Sequence, residues 1–162
     1  MNGEHDLIAR RATEADLPAI SSLLAELARE HGQSGDTQAA ARVLTTPRGR
    51  PGPFLFVAAE TSGLLGFAAL TGHFPARDFT WGLTLTDLFV SVPHRAAGVG
   101  RALLGAVCGF AVGEGYTRID NAVGMDEALP RHFYAALAVS PAPRHVYRLE
   151  GAALERLAKP PD

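Results

Sequence analysis

The stretch that decides the fold runs from Asp87 to Leu104: Asp87-Leu-Phe-Val-Ser-Val-Pro-His-Arg-Ala-Ala-Gly-Val-Gly-Arg-Ala-Leu-Leu104. It reads as a strand, a loop with two close glycines, and a helix. Gly98 and Gly100 lack the Cβ atoms that would hold an anion away from the backbone, and they permit positive φ. A helix starting at Arg101 has first-turn N–H groups with no intrahelical partner, so these point outward with the positive end of the helix dipole. Arg95 and Arg101 flank the turn and can add charge-assisted hydrogen bonds. A pyrophosphate fits such a turn, although two glycines between a strand and a helix also serve purely structural ends.

Two nucleotide motifs are excluded by the same residues. A P-loop needs Gly-Lys-Ser/Thr at the end of the turn, and the chain has none. A dinucleotide-binding turn needs a third glycine where Leu103 stands, and a loop that leaves the strand at once. Asp120 does lie twenty residues past Gly100, where a ribose-binding acid would, but no second βαβ half follows.

Working outward, residues 80–92 are rich in β-branched and aromatic residues and predict a central strand. Residues 54–60 and 64–71 predict two strands joined by a Thr61-Ser62-Gly63 turn, and residues 72–78 a second connection. Residues 7–12 alternate and predict a first strand. Thr13 can cap a helix carrying Leu17, Ile20, Leu24 and Leu27, with Asp16 complementing the dipole and Pro18 in the first turn. A short helix is expected at 36–44 within the loop-rich stretch 32–53. The helix at 101–114 is apolar nearly all round and reads as buried on more than one side. Gly105, Gly109 and Gly113 predict a smooth face against the sheet, Gly115 suits the helix end, and Cys108 reads as a small buried hydrophobe. A strand at 116–123, a helix at 129–137, a strand at 145–149 and a helix at 152–157 complete the pattern. The fold class is α/β (α+β), a mixed, mostly antiparallel sheet flanked by helices on both faces.

The chain has 162 residues, 47% of them apolar and 20% charged, which fits a single domain over 1–162. Fifteen basic and seventeen acidic residues leave a net charge of −2, so no cationic surplus is available for nucleic acid. One cysteine excludes an internal disulfide and a multi-cysteine zinc site. His5, His31, His73, His94, His132 and His145 show no metal-ligand spacing. The opening MNGEHDLIARR has no apolar core, and the longest apolar run, Ala102–Gly113, is far short of the ~20 residues that span a bilayer. A cytoplasmic protein with neither signal peptide nor membrane span is expected.

Arg95-Ala-Ala-Gly-Val-Gly100, preceded by Leu-Phe-Val and a proline, resembles the Arg/Gln-x-x-Gly-x-Gly/Ala segment of the GCN5-related N-acetyltransferase (GNAT) superfamily. The resemblance runs from the Thr13-Glu-Ala-Asp-Leu17 opening almost to the end of the chain. It implies the GNAT fold, acetyl-CoA as acetyl donor, and an amine as acceptor. It further implies a strand that splays from its neighbour at a bulge, with the pantetheine arm filling the gap. Leu88, Phe89 and Val90 would then offer backbone groups to that arm, the Val90 N–H polarising the thioester carbonyl. Arg95, Ala96, Ala97, Gly98, Val99, Gly100 and Arg101 would surround the pyrophosphate. Two positions depart from the pattern: Ala96 stands where a glycine is usual, and Glu127 where an asparagine is frequent.

Tyr134, in Arg131-His-Phe-Tyr134, resembles the family's Phe-Tyr segment, which implies an acid that protonates the departing thiolate. On residue chemistry alone it is equally an amphipathic tyrosine packed on a short helix. Residues 85–99 and the ending Tyr147-Arg-Leu149, Leu154, Leu157 also resemble diamine (spermidine/spermine-type) acetyltransferases, whose Glu-Asp pair is replaced here by Thr86-Asp87. Asp87 can act as base directly, act through water, or hydrogen-bond across the sheet. Trp81 and Phe79 line an acceptor site or pack at the sheet edge, and Asp36, Asp78 and Asp87 suit a cationic acceptor. A small-molecule amine substrate and a homodimer are the expected partners. A non-catalytic acyl-CoA-binding relative, and an enzyme acting on a protein N-terminus or lysine, are the alternatives.

Overall fold

The computed structural model describes residues 7–32, 34–38, 41, 52–74, 80–124, 127–139, 141–142 and 150–158. The chain divides into two compact units, Met1–Ala122 and Val123–Asp162.

The first unit is built on a five-stranded sheet. Its strands are β1 (Ile8–Arg11), β2 (Phe54–Glu60), β3 (Gly63–His73), β4 (Gly82–Val90) and β5 (Ile119–Asn121), in that spatial order. The first four pair antiparallel, and β5 runs parallel to β4. Helix α1 (Leu17–Glu30) follows β1, and helix α2 (Val99–Gly113) follows β4. Strand β2 alternates between two cores: Phe54, Phe56 and Ala58 join the α2 residues Leu103 and Val107, while Leu55 and Val57 join Ile20 and Leu23 of α1. Helices therefore cover both faces, and β2 is apolar without a break because both its sides are buried.

Helix α2 corrects four expectations. It begins at Val99, two residues earlier than expected, because Gly98 at φ 84° serves as its N-cap. Its buried residues are Val99, Leu103, Val107 and Ala111, a single stripe, whereas Val112 is 79% exposed. Gly105, Gly109 and Gly113 are exposed with no atom near a Cβ position, and Cys108 is exposed too. The reason is helical phase. Gly105 stands two positions past Leu103, about 200° round the helix, so the glycine stripe faces away from the sheet. Gly115 ends the helix as expected: its N–H bonds the Val112 carbonyl, and the Tyr116 N–H bonds that of Ala111.

Asp16 also does more than complement a dipole. It is buried, and its carboxylate accepts two 2.8 Å bonds from the Arg10 guanidinium of β1 and one from the Thr13 backbone N–H. The strand is thereby locked to the start of α1, with Pro18 in the first turn. Leu23, not singled out from the sequence, is buried beside Ile20.

In the second unit, helix α3 (Ala128–Ala136) and helix α4 (Gly151–Leu157) match the expected helices within a residue. The expected strand at 145–149 and most of the expected 36–44 helix lie outside the described residues, although Thr37, Gln38 and Ala41 are helical. No helix among the described residues is long and apolar enough to cross a membrane.

The Arg10 bond is the largest cause that lowers the Asp16 carboxyl to about 2. A depressed carboxyl stabilises the fold above its unfolded value near 4, and that stability is lost as pH falls through the folded value. Asp16→Asn is expected to lower stability by roughly 1–3 kcal/mol at pH 7. In urea unfolding at stepped pH, the gap between parent and variant closes between pH 4 and pH 2.

Candidate active site

The site is built on one irregularity in β4. Ala69 pairs with Asp87 while its neighbour Leu70 pairs with Leu85, so Thr86 is an extra residue, a β-bulge. The Thr86 hydroxyl donates to the Ala69 carbonyl at 3.0 Å and holds the bulge against β3. Before it, Leu83 and Leu85 face the α2 core. After it, Leu88 and Val90 do, because the extra residue shifts the alternation by one.

The backbone shifts with the side chains. The Leu83 N–H bonds the Arg118 carbonyl, so at Leu83 the strand's polar groups point to β5. At the other end the Ser91 N–H bonds the Leu65 carbonyl of β3, at 2.9 Å. Hydrogen-bonded pairs alternate in an antiparallel ladder, so Phe89 opposite Phe67 also spends its N–H and C=O on β3. Leu88 and Val90 therefore turn theirs to the opposite edge. Strand β5 pairs with β4 only over Leu83–Leu85. Beyond the bulge, among the described residues, that edge of β4 has no strand beside it.

Gly66 of β3 keeps this geometry possible. A Cβ there would collide with the Phe89 carbonyl oxygen and crowd Val90 and Leu103 of α2.

The open edge runs into the turn expected to take phosphate. Ala96, Ala97 and Gly98 are exposed, Ala96 at φ 61° and Gly98 at φ 84°. Alternating handedness turns successive N–H groups toward one side, the backbone arrangement that binds anions. The first intrahelical bond of α2 runs from the Ala102 N–H to the Gly98 carbonyl, leaving the Val99, Gly100 and Arg101 N–H groups as first-turn donors. A Cβ at Gly98 would meet no atom within 4 Å, so the turn is open above it. Arg101 is exposed on the first turn. Arg95 is engaged instead: its Nε donates to the Val90 carbonyl at 2.9 Å, and its Nη2 to both carboxylate oxygens of Glu30.

Asp87 is exposed, and alternation puts its side chain on the α1 face with Phe89. Thus the structure brings Asp87, Leu88, Phe89, Val90 and the Arg95–Arg101 turn into one continuous run. Tyr134 lies in the second unit, on α3, its ring packed edge-on against Phe133 at 5.3 Å between centroids. Trp81 packs against Phe74 with its ring tilted by 50°, while Phe79 and Asp78 lie outside the described residues. Among the described residues no group of three or more His, Cys, Asp or Glu could hold a metal ion.

Several polar residues escaped the sequence reading. Ser91 is buried and donates to Glu26 at 2.6 Å. His73 bonds Thr84 through Nδ1, and its Nε2 faces Arg118 and Asp120 where β4 and β5 still pair. The first group joins residues 65 positions apart and has no local signature. The second joins three strands and has no local signature.

Ala96 carries a conformation that costs an L-residue about 1–2 kcal/mol. Ala96→Gly is expected to raise stability by about 0.5–1 kcal/mol in chemical denaturation, with the turn unchanged.

A family model described as the acetyltransferase (GNAT) family matches residues 19–138. Among solved structures, an integron cassette protein from the mobile metagenome of V. cholerae is 26% identical, with a TM-score of 0.79, covering 95% of this chain and 98% of that one. An aminoglycoside N-acetyltransferase solved in complex with CoA superposes with a TM-score of 0.78 at 17% identity, covering 93% and 98%. A ribosomal-protein-alanine N-acetyltransferase from Brucella melitensis biovar Abortus 2308 gives 0.77 at 16%, covering 91% and 100%. The last two likenesses speak to the fold alone. No curated protein matches the sequence. With a family model spanning most of its length, the chain belongs to the GNAT acetyltransferase family.

Proposed function

We propose that the protein is an N-acetyltransferase that moves the acetyl group of acetyl-CoA to a primary amine of a small molecule, the two substrates bound together. The observation that carries this reading is the open edge of β4 at Leu88 and Val90, which leads directly into the N–H-lined turn at Ala96–Arg101. An extended amide-bearing arm can pair with such an edge as an added strand, and a pyrophosphate suits the turn that follows. Family membership supports acetyl-CoA as that ligand. Two proteins of the same fold are, by name, N-acetyltransferases.

Acetyl-CoA supplies an activated acyl group, and the protein's part is orientation and proton handling. The Val90 N–H is a fixed donor for the oxygen on which negative charge develops. An amine arrives as an ammonium and must lose a proton before attack. Asp87, exposed next to the open edge, takes that proton directly or through water. Tyr134 then protonates the departing thiolate, the role implied by its Phe-Tyr segment. Asp87, together with Asp36 and Asp78 in the sequence, favours a cationic acceptor. The missing acidic partner at Thr86 leaves polyamines as one amine class among several. We take residues 1–162 as one acetyltransferase domain, since the family match crosses from the first unit into the second. A cytoplasmic location and a homodimer go with this reading.

Calorimetric titration is expected to show acetyl-CoA binding in the micromolar range, abolished by Gly100→Glu, whose carboxylate would stand in the anion turn. Tyr134→Phe is expected to lower turnover with a responsive amine about 100-fold or more while leaving cofactor affinity unchanged. Binding without turnover on any amine would instead favour a regulatory acyl-CoA-binding protein.

A further inference from the structure

Helix α1 carries Glu26 and Glu30 one helical turn apart, and the chain leaving β4 carries Ser91 and Arg95 at the same spacing. The two pairs meet. The Ser91 hydroxyl, buried, donates to Glu26 Oε2 at 2.6 Å. Arg95 Nη2 donates to Glu30 Oε1 and Oε2 at 2.7 and 2.9 Å. The same guanidinium lies 5.7 Å from the centroid of the Phe89 ring and donates from Nε to the Val90 carbonyl at 2.9 Å.

That carbonyl points to the open edge, like the Val90 N–H, so Arg95 closes the edge one group beyond the donor that acts on the acyl oxygen. Holding the carbonyl fixes the orientation of the peptide after Val90, and with it the direction in which the chain enters the anion turn. An arginine beside such a turn would ordinarily be assigned to phosphate. Here Glu30 already takes one of its nitrogens, and a carboxylate beside an anion site opposes the ligand by simple repulsion. Its presence makes sense if geometry matters more than charge.

We propose that Glu30 through Arg95, and Glu26 through Ser91, are positioning residues that set the open edge and the anion turn for the acyl donor. This inference rests on the acetyl-CoA reading and adds α1 to the site. The signs of its consequences run against electrostatics. Glu30→Gln removes a negative charge near an anion site, yet it weakens acetyl-CoA binding about tenfold. Glu30→Asp, which keeps the carboxylate, recovers most of that loss. Arg95→Lys keeps the positive charge but loses the Nε donor, and it weakens binding at least as much as Glu30→Gln.

The experiment is calorimetry of acetyl-CoA against the parent and these three variants, with amide NMR spectra of the unliganded proteins. The Val90 and Ser91 amide resonances are expected to move in Glu30→Gln and to return in Glu30→Asp. Unchanged or tighter binding by Glu30→Gln, or parental affinity in Arg95→Lys, would overturn the inference while leaving the acetyl-CoA site standing. A parent protein that binds no acetyl-CoA would overturn the site reading itself, and the inference with it.

Discussion

The extra residue at Thr86 sets the terms for the rest of the molecule. A regular β4 would keep pairing with β5 beyond Leu85, or else would turn its apolar residues out of the α2 core. Inserting one residue satisfies both demands at once. Leu83 and Leu85 on one side of the bulge, and Leu88 and Val90 on the other, all reach the same core, while the strand leaves β5 behind. The cost is a stretch of edge that, among the described residues, has no strand beside it, and a stable protein ordinarily covers or shields such an edge. On the proposed reading, the acyl donor covers this edge.

The surrounding structure holds that edge in place. Gly66 lets β3 lie against the Phe89 carbonyl without a side chain between them. Packing of Phe67, Ala69 and Phe89 against Ile20 and Leu23 fixes the opposite face. The Arg10–Asp16 pair locks α1 to β1, and the Glu26–Ser91 and Glu30–Arg95 contacts carry that rigidity from α1 to the end of β4. The chain of contacts runs from a half-buried ion pair at the start of α1 to the end of β4, where the turn begins. Preorganised donors are effective because they need no rearrangement when charge develops.

Much of this was legible in the sequence. Strand–turn–helix order, the Thr61-Ser62-Gly63 hairpin turn and Gly98 at the turn are local signals that fall where the residues place them, whereas Gly100, expected in the loop, lies in the first turn of α2. The bulge was readable too, as a step of three between Leu85 and Leu88 in an apolar run otherwise spaced by two. In the event it was the family resemblance that raised it. Helix α2 shows where local reading fails. Two stripes at four-residue spacing lie on that helix, one of Val, Leu and Ala and one of Gly, and the spacing alone does not say which meets the sheet. Bulky apolar side chains win, since they remove more surface from water, and the glycines together with Cys108 are left outside. The contacts of Ser91 with Glu26 and of Arg95 with Glu30 were invisible for a different reason: each joins residues 65 positions apart, and no local pattern predicts the meeting.

On the proposed reading, the edge of β4 beyond the bulge receives the acyl donor. The direct measurement is a titration of 15N-labelled protein with acetyl-CoA, following assigned backbone amides. Large shifts are expected at Leu88 and Val90 and at Val99, Gly100 and Arg101, with a smaller one at Phe89, whose N–H is held by β3. Shifts that follow no such alternation along β4, or that spare the strand altogether, would contradict it.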